Sequence, residues 1–363
     1  MGLLKWLFIS VVLVLLSCCS SDNEIAKAKI EKSKLDSVIL VLEALKKDSL
    51  LQEHLDSVYA KRVVSIDSYF TRKHDWSGFN GNVLFAVKGK IIYQKAFGYR
   101  NIKKKEPLEI NDAFQLASVS KTITSTAILQ LYDKGLLKLS DTIQQFLPRF
   151  PDKYKGLTID YLLSHKSGLF EYWHFNDKVW RKGRHFLTYQ RLLEAIVKNE
   201  PGVNFLPGKK YNYNNLNYVL LATIVEVISK QSFSEYLDEN IFIPANMNHA
   251  FVFNANDSTT LKKKKVIGHY HGSRQYTLEY PDGLYGDKGI FASTTDLLHF
   301  DQALYNGLLL KDSTLLLATT KKHERLHDWD NYGYGWRIDV SENQPKLVYH
   351  SGWWKGFKTK FIR

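Results

Sequence analysis

The chain has 363 residues, 44% hydrophobic and 24% charged. That balance excludes a largely disordered protein and leaves room for two domains, or for one large domain with an appendage. Fifty basic against 37 acidic side chains give a formal charge of +13, but the basic runs at 103–105 and 262–265 sit among turn-like polar residues without interleaved aromatics. They read as solvated loops, and no nucleic-acid partner is expected.

The N-terminus reads as an export signal. Lys5 precedes an apolar run over 6–16, and about 11 residues are too few to span a bilayer, which takes about 20. Leu15-Leu16-Ser17-Cys18 resembles a bacterial lipobox, the alternatives being an ordinary signal peptide or a short anchor. The expectation is a signal peptide over 1–17, lipidation of Cys18 and a membrane-anchored lipoprotein of the bacterial cell envelope. Cys18 and Cys19 are the only cysteines, which excludes a disulfide-stapled fold or a cysteine zinc cluster.

Residues 24–75 contain neither glycine nor proline, and Leu35, Ile39, Leu42, Leu45, Leu51, Leu55 and Val58 recur at helical spacing. One or two amphipathic helices are expected, with residues 18–66 forming a lipid-anchored linker. Residues 82–87 and 91–97 flank Lys88-Gly89-Lys90 and read as a hairpin. Helices are expected over 118–134, 159–164, 189–198, 215–230 and 295–304, and strands over 335–340, 346–350 and 357–363. Strands at both ends with helices between suggest a mixed sheet drawn from distant segments, plus a helical lobe.

Elimination narrows the chemistry. No Gly-x-Ser-x-Gly, phosphate-loop or Gly-x-Gly-x-x-Gly motif occurs. His269 and His271 lack a third ligand at zinc spacing, so no metal is expected. The chain has a single Ser-x-x-Lys, Ser118-Val119-Ser120-Lys121, at the start of an expected helix. Residues three apart share a helix face, so a desolvated lysine can take the proton that makes serine nucleophilic. A helix N-terminus also directs N–H groups at a developing oxyanion. The bland alternative is a solvated polar face opposite the stripe Ile123, Ala127, Ile128 and Leu131, and periodicity does not separate the two. Tyr213-Asn214-Asn215 precedes an apolar helix, where it could simply cap. His350-Ser351-Gly352 ends an expected strand. Its glycine would let substrate backbone lie on the strand edge, and its histidine would hold a substrate carboxylate or tune its neighbours.

These motifs, in this order, resemble the serine β-lactamase and penicillin-binding-protein superfamily, in its class C β-lactamase, D-alanyl-D-alanine carboxypeptidase and esterase branch. Residues 114–122 are similar to its first motif, Tyr213-Asn214-Asn215 to its Tyr-x-Asn, and His350-Ser351-Gly352 to its Lys-Thr-Gly or His-x-Gly. Leu162-Leu163-Ser164-His165-Lys166-Ser167-Gly168-Leu169 and Gly286-Asp287-Lys288-Gly289-Ile290 resemble further family segments. The resemblance covers residues 67–363, the expected hydrolase domain. It implies an α+β fold with an antiparallel sheet flanked by helices and a helical lobe.

It also implies acyl transfer without a cofactor. Ser118 would be the nucleophile, Lys121 and Tyr213 would share acid–base work, and Asn215 would orient substrate or lysine. His350, Ser351, Gly352 and Trp353 would bind substrate, the N–H groups of Ser118 and Trp353 forming the oxyanion hole. Donors open to the branch are D-alanyl peptides, D-amino-acid amides, small esters and β-lactams. The alternative is a catalytically silent, lipid-anchored protein that binds cell-wall peptides. If His350 carries the charge, preference for carboxylate-ended substrates should fade from about pH 6 to about pH 8. Relatives add a strand and a helix after the segment corresponding to 357–363, so a truncated, unstable or inactive chain is the expectation.

Overall fold

A computed structural model of the chain describes residues 22–172, 186–270, 274–324 and 331–363. The lipobox, Cys18 and His271 lie outside the described residues. The chain divides into two units, the boundary falling between Ser68 and Tyr69.

Helix α1 (Asp22–Ser77) runs unbroken for 56 residues where one or two helices were expected. No glycine or proline interrupts it, and at 1.5 Å per residue it extends about 84 Å. The expected amphipathic stripe is not sustained. Val38, Leu40, Val41 and Leu42 project in directions spread around the axis, and all four are more than half exposed.

The second unit opens with the expected hairpin. Strands β1 (Gly81–Val87) and β2 (Lys90–Phe97) pair across Lys88 and Gly89, both at positive φ, as a two-residue turn of matching twist requires. Strands β3 (Tyr99–Asn101) and β4 (Glu106–Pro107) form a small ladder. Strands β5 (Phe114–Gln115), β6 (Phe251–Val252) and β7 (Ile290–Ala292) make a three-stranded sheet in the order β5-β7-β6. The C-terminal sheet has the order β11-β10-β9-β8, from β8 (Asn331–Tyr332), β9 (Arg337–Asp339), β10 (Leu347–Trp354) and β11 (Phe357–Ile362). Every pairing between these strands is antiparallel, as the resemblance implied and not mixed as element order suggested.

The helical lobe contains α2 (Ser120–Asp133), α3 (Ile159–Leu163), α4 (Tyr189–Asn199) and α5 (Leu216–Ser229), whereas α6 (Thr294–Tyr305) packs against β1. Residues 120–131 of α2 are all buried. Its hydroxyls are satisfied inside: Thr124 donates to the Gly286 carbonyl at 2.7 Å and Ser125 to the Tyr334 carbonyl at 2.8 Å, which lets a polar sequence occupy a core position. The solvated-face reading of this helix is thereby excluded.

Strands β1 and β11 belong to separate sheets. A groove of about 810 Å³ lies between them, lined by Asn82 on one side, Lys358 and Lys360 on the other, and Thr294 and Leu297 of α6.

Candidate active site

The turn that carries Ser118 is strained and clamped. Ala117 has φ +49°, a region that costs a non-glycine residue energy, and a short 3₁₀ turn over Ala117–Val119 precedes α2. Ser118 thus sits on that turn, two residues before α2, where the sequence places the start of the helix at Ser118 itself. Three bonds fix the approach. The Leu116 N–H donates to the Ile290 carbonyl at 2.8 Å, the Thr359 hydroxyl donates to the Leu116 carbonyl at 2.6 Å, and the Val119 N–H donates to the same carbonyl at 3.1 Å.

Gly352 completes the clamp from β10. A Cβ there would stand 2.2 Å from the Leu116 carbonyl oxygen and 3.0 Å from the Ala117 Cβ. The glycine therefore faces the nucleophile turn, and the expectation that it makes room for substrate backbone is corrected. Strand β10 continues through Trp354, beyond the expected end at His350. Val348 and Arg363 exchange both backbone bonds, so residues 350, 352 and 354 pair in the same way with β11. The backbone groups of Ser351 and Trp353 alternate to the opposite edge, where β9 pairs only as far as Tyr349. Both side chains are exposed.

Lys121 is fully buried, and its Nζ meets three oxygens: Ser118 Oγ at 3.2 Å, Asn215 Oδ1 at 2.8 Å and the Asp287 carbonyl at 2.9 Å. An ammonium uses its three protons on these. A neutral amine gives two protons to Asn215 and Asp287 and turns its lone pair on the Ser118 hydroxyl. Burial drives this change, lowering the Lys121 pKa to about 8 against the opposing pull of Asp287 and Glu171.

The Tyr213–Asn215 loop is held by a residue the sequence reading left without a role. His165, fully buried at φ +58°, accepts the Asn214 N–H on Nδ1 at 3.1 Å, and its ring lies 4.3 Å from that of Tyr213. The Asn214 side chain donates to the Leu169 carbonyl at 2.8 Å. Asn215 is the N-cap residue of α5, yet its side chain caps nothing and turns to Lys121 instead. Glu171 sets that orientation, accepting the Asn215 N–H at 2.9 Å and facing its Nδ2 at 3.5 Å. The Tyr213 hydroxyl is buried and makes no well-formed hydrogen bond, although Ser118 is near enough to act on its ionisation. Burial dominates, raising its pKa and keeping the phenol neutral. Its ring lies 4.9 Å from Lys121 Nζ and 5.6 Å from Arg337 Cζ.

His350 is brought to the cluster in a different capacity from the one expected. It is 1% exposed, and Nδ1–H donates to the Ser351 carbonyl at 2.8 Å, leaving Nε2 to accept the Tyr332 hydroxyl at 3.1 Å. Burial first, then Lys121 and Arg337, hold its pKa well below the usual histidine value. A charge-bearing role between about pH 6 and about pH 8 is therefore corrected. The cation facing Tyr213 and Lys121 is Arg337 of β9. Glu171 and Arg337 carried no motif signal, and the Asp287 group that binds Lys121 is a main-chain carbonyl.

A half-buried serine on a buried lysine, backed by a Tyr-x-Asn loop and a strand edge, lies in a chain matched by the family model described as Beta-lactamase, over residues 72–362. The chain belongs to the beta-lactamase family. Penicillin-binding protein 4* of Bacillus subtilis is 34% identical over 299 residues, covering 78% of this chain and 65% of its own length. Protein flp of Staphylococcus aureus is 29% identical, covering 75% and 54%. This beta-lactamase-family chain thus spans less than two thirds of these curated relatives. Among solved structures, a penicillin-binding protein from Bacillus halodurans superimposes with a TM-score of 0.70 at 26% identity, covering 81% of this chain and 89% of its own. The octameric penicillin-binding protein homologue from Pyrococcus abyssi gives 0.68 at 26% identity, covering 80% and 68%. These likenesses agree with the α+β architecture of the second unit.

Proposed function

We propose that the chain is a serine hydrolase working through an acyl-enzyme, with acyl donors that end in a carboxylate. The contact of Lys121 Nζ with Ser118 Oγ at 3.2 Å, its other partners both acceptors, carries this reading. The neutral amine takes the hydroxyl proton as Oγ bonds to the substrate carbonyl carbon. The negative oxygen is met by the N–H groups of Ser118 and Trp353. Collapse expels the leaving amine or alcohol, which takes a proton relayed from Lys121 through the Tyr213 hydroxyl, and water then releases the acid and regenerates Ser118. No metal or organic cofactor enters these steps.

Arg337 supports the substrate class, since a guanidinium beside the acid–base pair suits a substrate carboxylate, whereas His350 is neutral. D-Alanyl peptides fit this description, and the penicillin-binding relatives make penicillin the natural probe. We propose further that the chain is a lipoprotein of the cell envelope, held through Cys18, and Cys18→Ser should then release it from membranes. Intact-mass measurement with penicillin and with a fluorophosphonate tests the chemistry. One adduct on the wild type and none on folded Ser118→Ala is the expected result. An adduct that survives in Ser118→Ala refutes the nucleophile, and an unlabelled wild type favours the silent peptide-binding alternative.

A further inference from the structure

A second buried lysine lies near the base and takes no part in the acyl-transfer scheme. Lys288 is 3% exposed. Its Nζ donates to the Tyr172 hydroxyl at 2.9 Å and lies 3.5 Å from Asp287 Oδ1, 5.5 Å from the Tyr172 ring centre and 5.3 Å from that of Trp354. The Tyr172 hydroxyl donates to Asp287 Oδ2 at 2.8 Å. Asp287 therefore faces two lysines with different groups, its carboxylate toward Lys288 and its main-chain carbonyl toward Lys121. The turn that separates them is held in place. Gly286 and Gly289 both have positive φ, Gly286 N–H donates to the Lys288 carbonyl at 3.1 Å, and a Cβ on Gly286 would stand 2.4 Å from the Tyr218 carbonyl oxygen of α5.

We propose that Lys288 is a positioning residue for the general base: by sharing the Asp287 carboxylate with Tyr172, it keeps that carboxylate from pairing with Lys121, which meets only the Asp287 carbonyl. The proposal rests on the reading of Lys121 as base. A buried carboxylate that loses its own cation acts on the next one, and an ion-paired lysine stays protonated and cannot accept a proton. The groups around Lys121 show which way the balance tips. Asp287 and Glu171 favour the ammonium, Arg337 opposes it, and Lys121 disfavours the charge on Lys288. The remaining neighbours, His165, His350, Tyr213 and Tyr218, are held neutral by burial.

The test is the rate at which a neutral fluorophosphonate labels Ser118 in the full chain, followed by intact mass from about pH 5 to about pH 10, so that the half-point of the rise reports Lys121. Lys288→Met is expected to move the half-point up by about one unit, slowing labelling about tenfold on the acid side and leaving the plateau in place. Asp287→Asn is expected to move it down. A packing role alone would lower the rate by one factor at every pH. If Lys288→Met does not fold, Lys288→Gln is read in its place, and Lys288→Met/Asp287→Asn is compared with Asp287→Asn: their half-points must coincide, because without the carboxylate Lys288 has nothing to withhold from Lys121. Unmoved half-points for the single Lys288 variants in a chain whose wild type labels, or a half-point that separates the double variant from Asp287→Asn, overturn the role of Lys288 alone. No wild-type adduct, or a half-point that survives Lys121→Ala, overturns the base reading and this proposal with it.

Discussion

Gly352→Ala is the substitution whose cost the structure sets most directly. The new methyl carbon would stand 2.2 Å from the Leu116 carbonyl oxygen and 2.4 Å from Thr359 Oγ1. An ordinary carbon–oxygen contact is about 3.3 Å, so β10 and the nucleophile turn must separate by about 1 Å. The turn has little freedom to give, because Ile290 and Thr359 hold Leu116 from two directions. The strand therefore moves, and the outward Trp353 N–H moves with it relative to Ser118. A displacement of that size costs about 10²-fold in a reaction that depends on alignment, and overpacking costs about 1–3 kcal/mol in stability. Acylation of Ser118 by a chromogenic ester, read beside urea unfolding, separates the two effects. Wild-type acylation by a folded Gly352→Ala protein would refute the clamp.

With wild-type protein and a neutral ester, kcat/KM should rise with pH through an apparent pKa of about 8, because lowering the Lys121 pKa leaves the ammonium dominant below that value and the amine above it. A half-point near pH 6 would assign the limb to another group. Arg337→Met should raise KM for a carboxylate-ended peptide at least about tenfold while sparing the neutral ester, and carboxylate preference should hold steady from about pH 6 to about pH 8, because His350 stays neutral. Parallel losses on both substrates would remove Arg337 from recognition. Glu171→Ala leaves the Asn215 N–H without its acceptor and should destabilise the fold by about 1–3 kcal/mol, with slower acylation as Asn215 loses its hold on Lys121. An unchanged unfolding midpoint and rate would count against it.

Local signals located most of the elements, because each answers to its own stretch of chain. The 88–89 turn, the apolar periodicity of α5 and the β-rich end all appear near their expected places. Strand β10 runs past its expected end at His350 to Trp354, and Gly352 within it admits Leu116 and Ala117, a tertiary contact that strand texture does not announce. The Ser118, Lys121, Tyr213 and Asn215 cluster was legible because its chemistry resides in side chains at fixed spacing. Asp287 binds Lys121 through a carbonyl, which every residue possesses, so no residue type marks it. The neutrality of His350 comes first from burial and then from Lys121 and Arg337, all of which act on it only through tertiary packing. Arg337 belongs to a three-residue strand whose partner edge decides what it faces.

The left-handed backbone of Ala117 has a consequence for how the nucleophile is kept ready. Its φ of +49° costs a residue with a Cβ about 1–2 kcal/mol, and that methyl group is the one a Cβ on Gly352 would meet at 3.0 Å. Glycine at this position would relieve the strain and at the same time return freedom to the turn. The energy stored in one alanine is thus the counterpart of a single, fixed direction for the Ser118 hydroxyl.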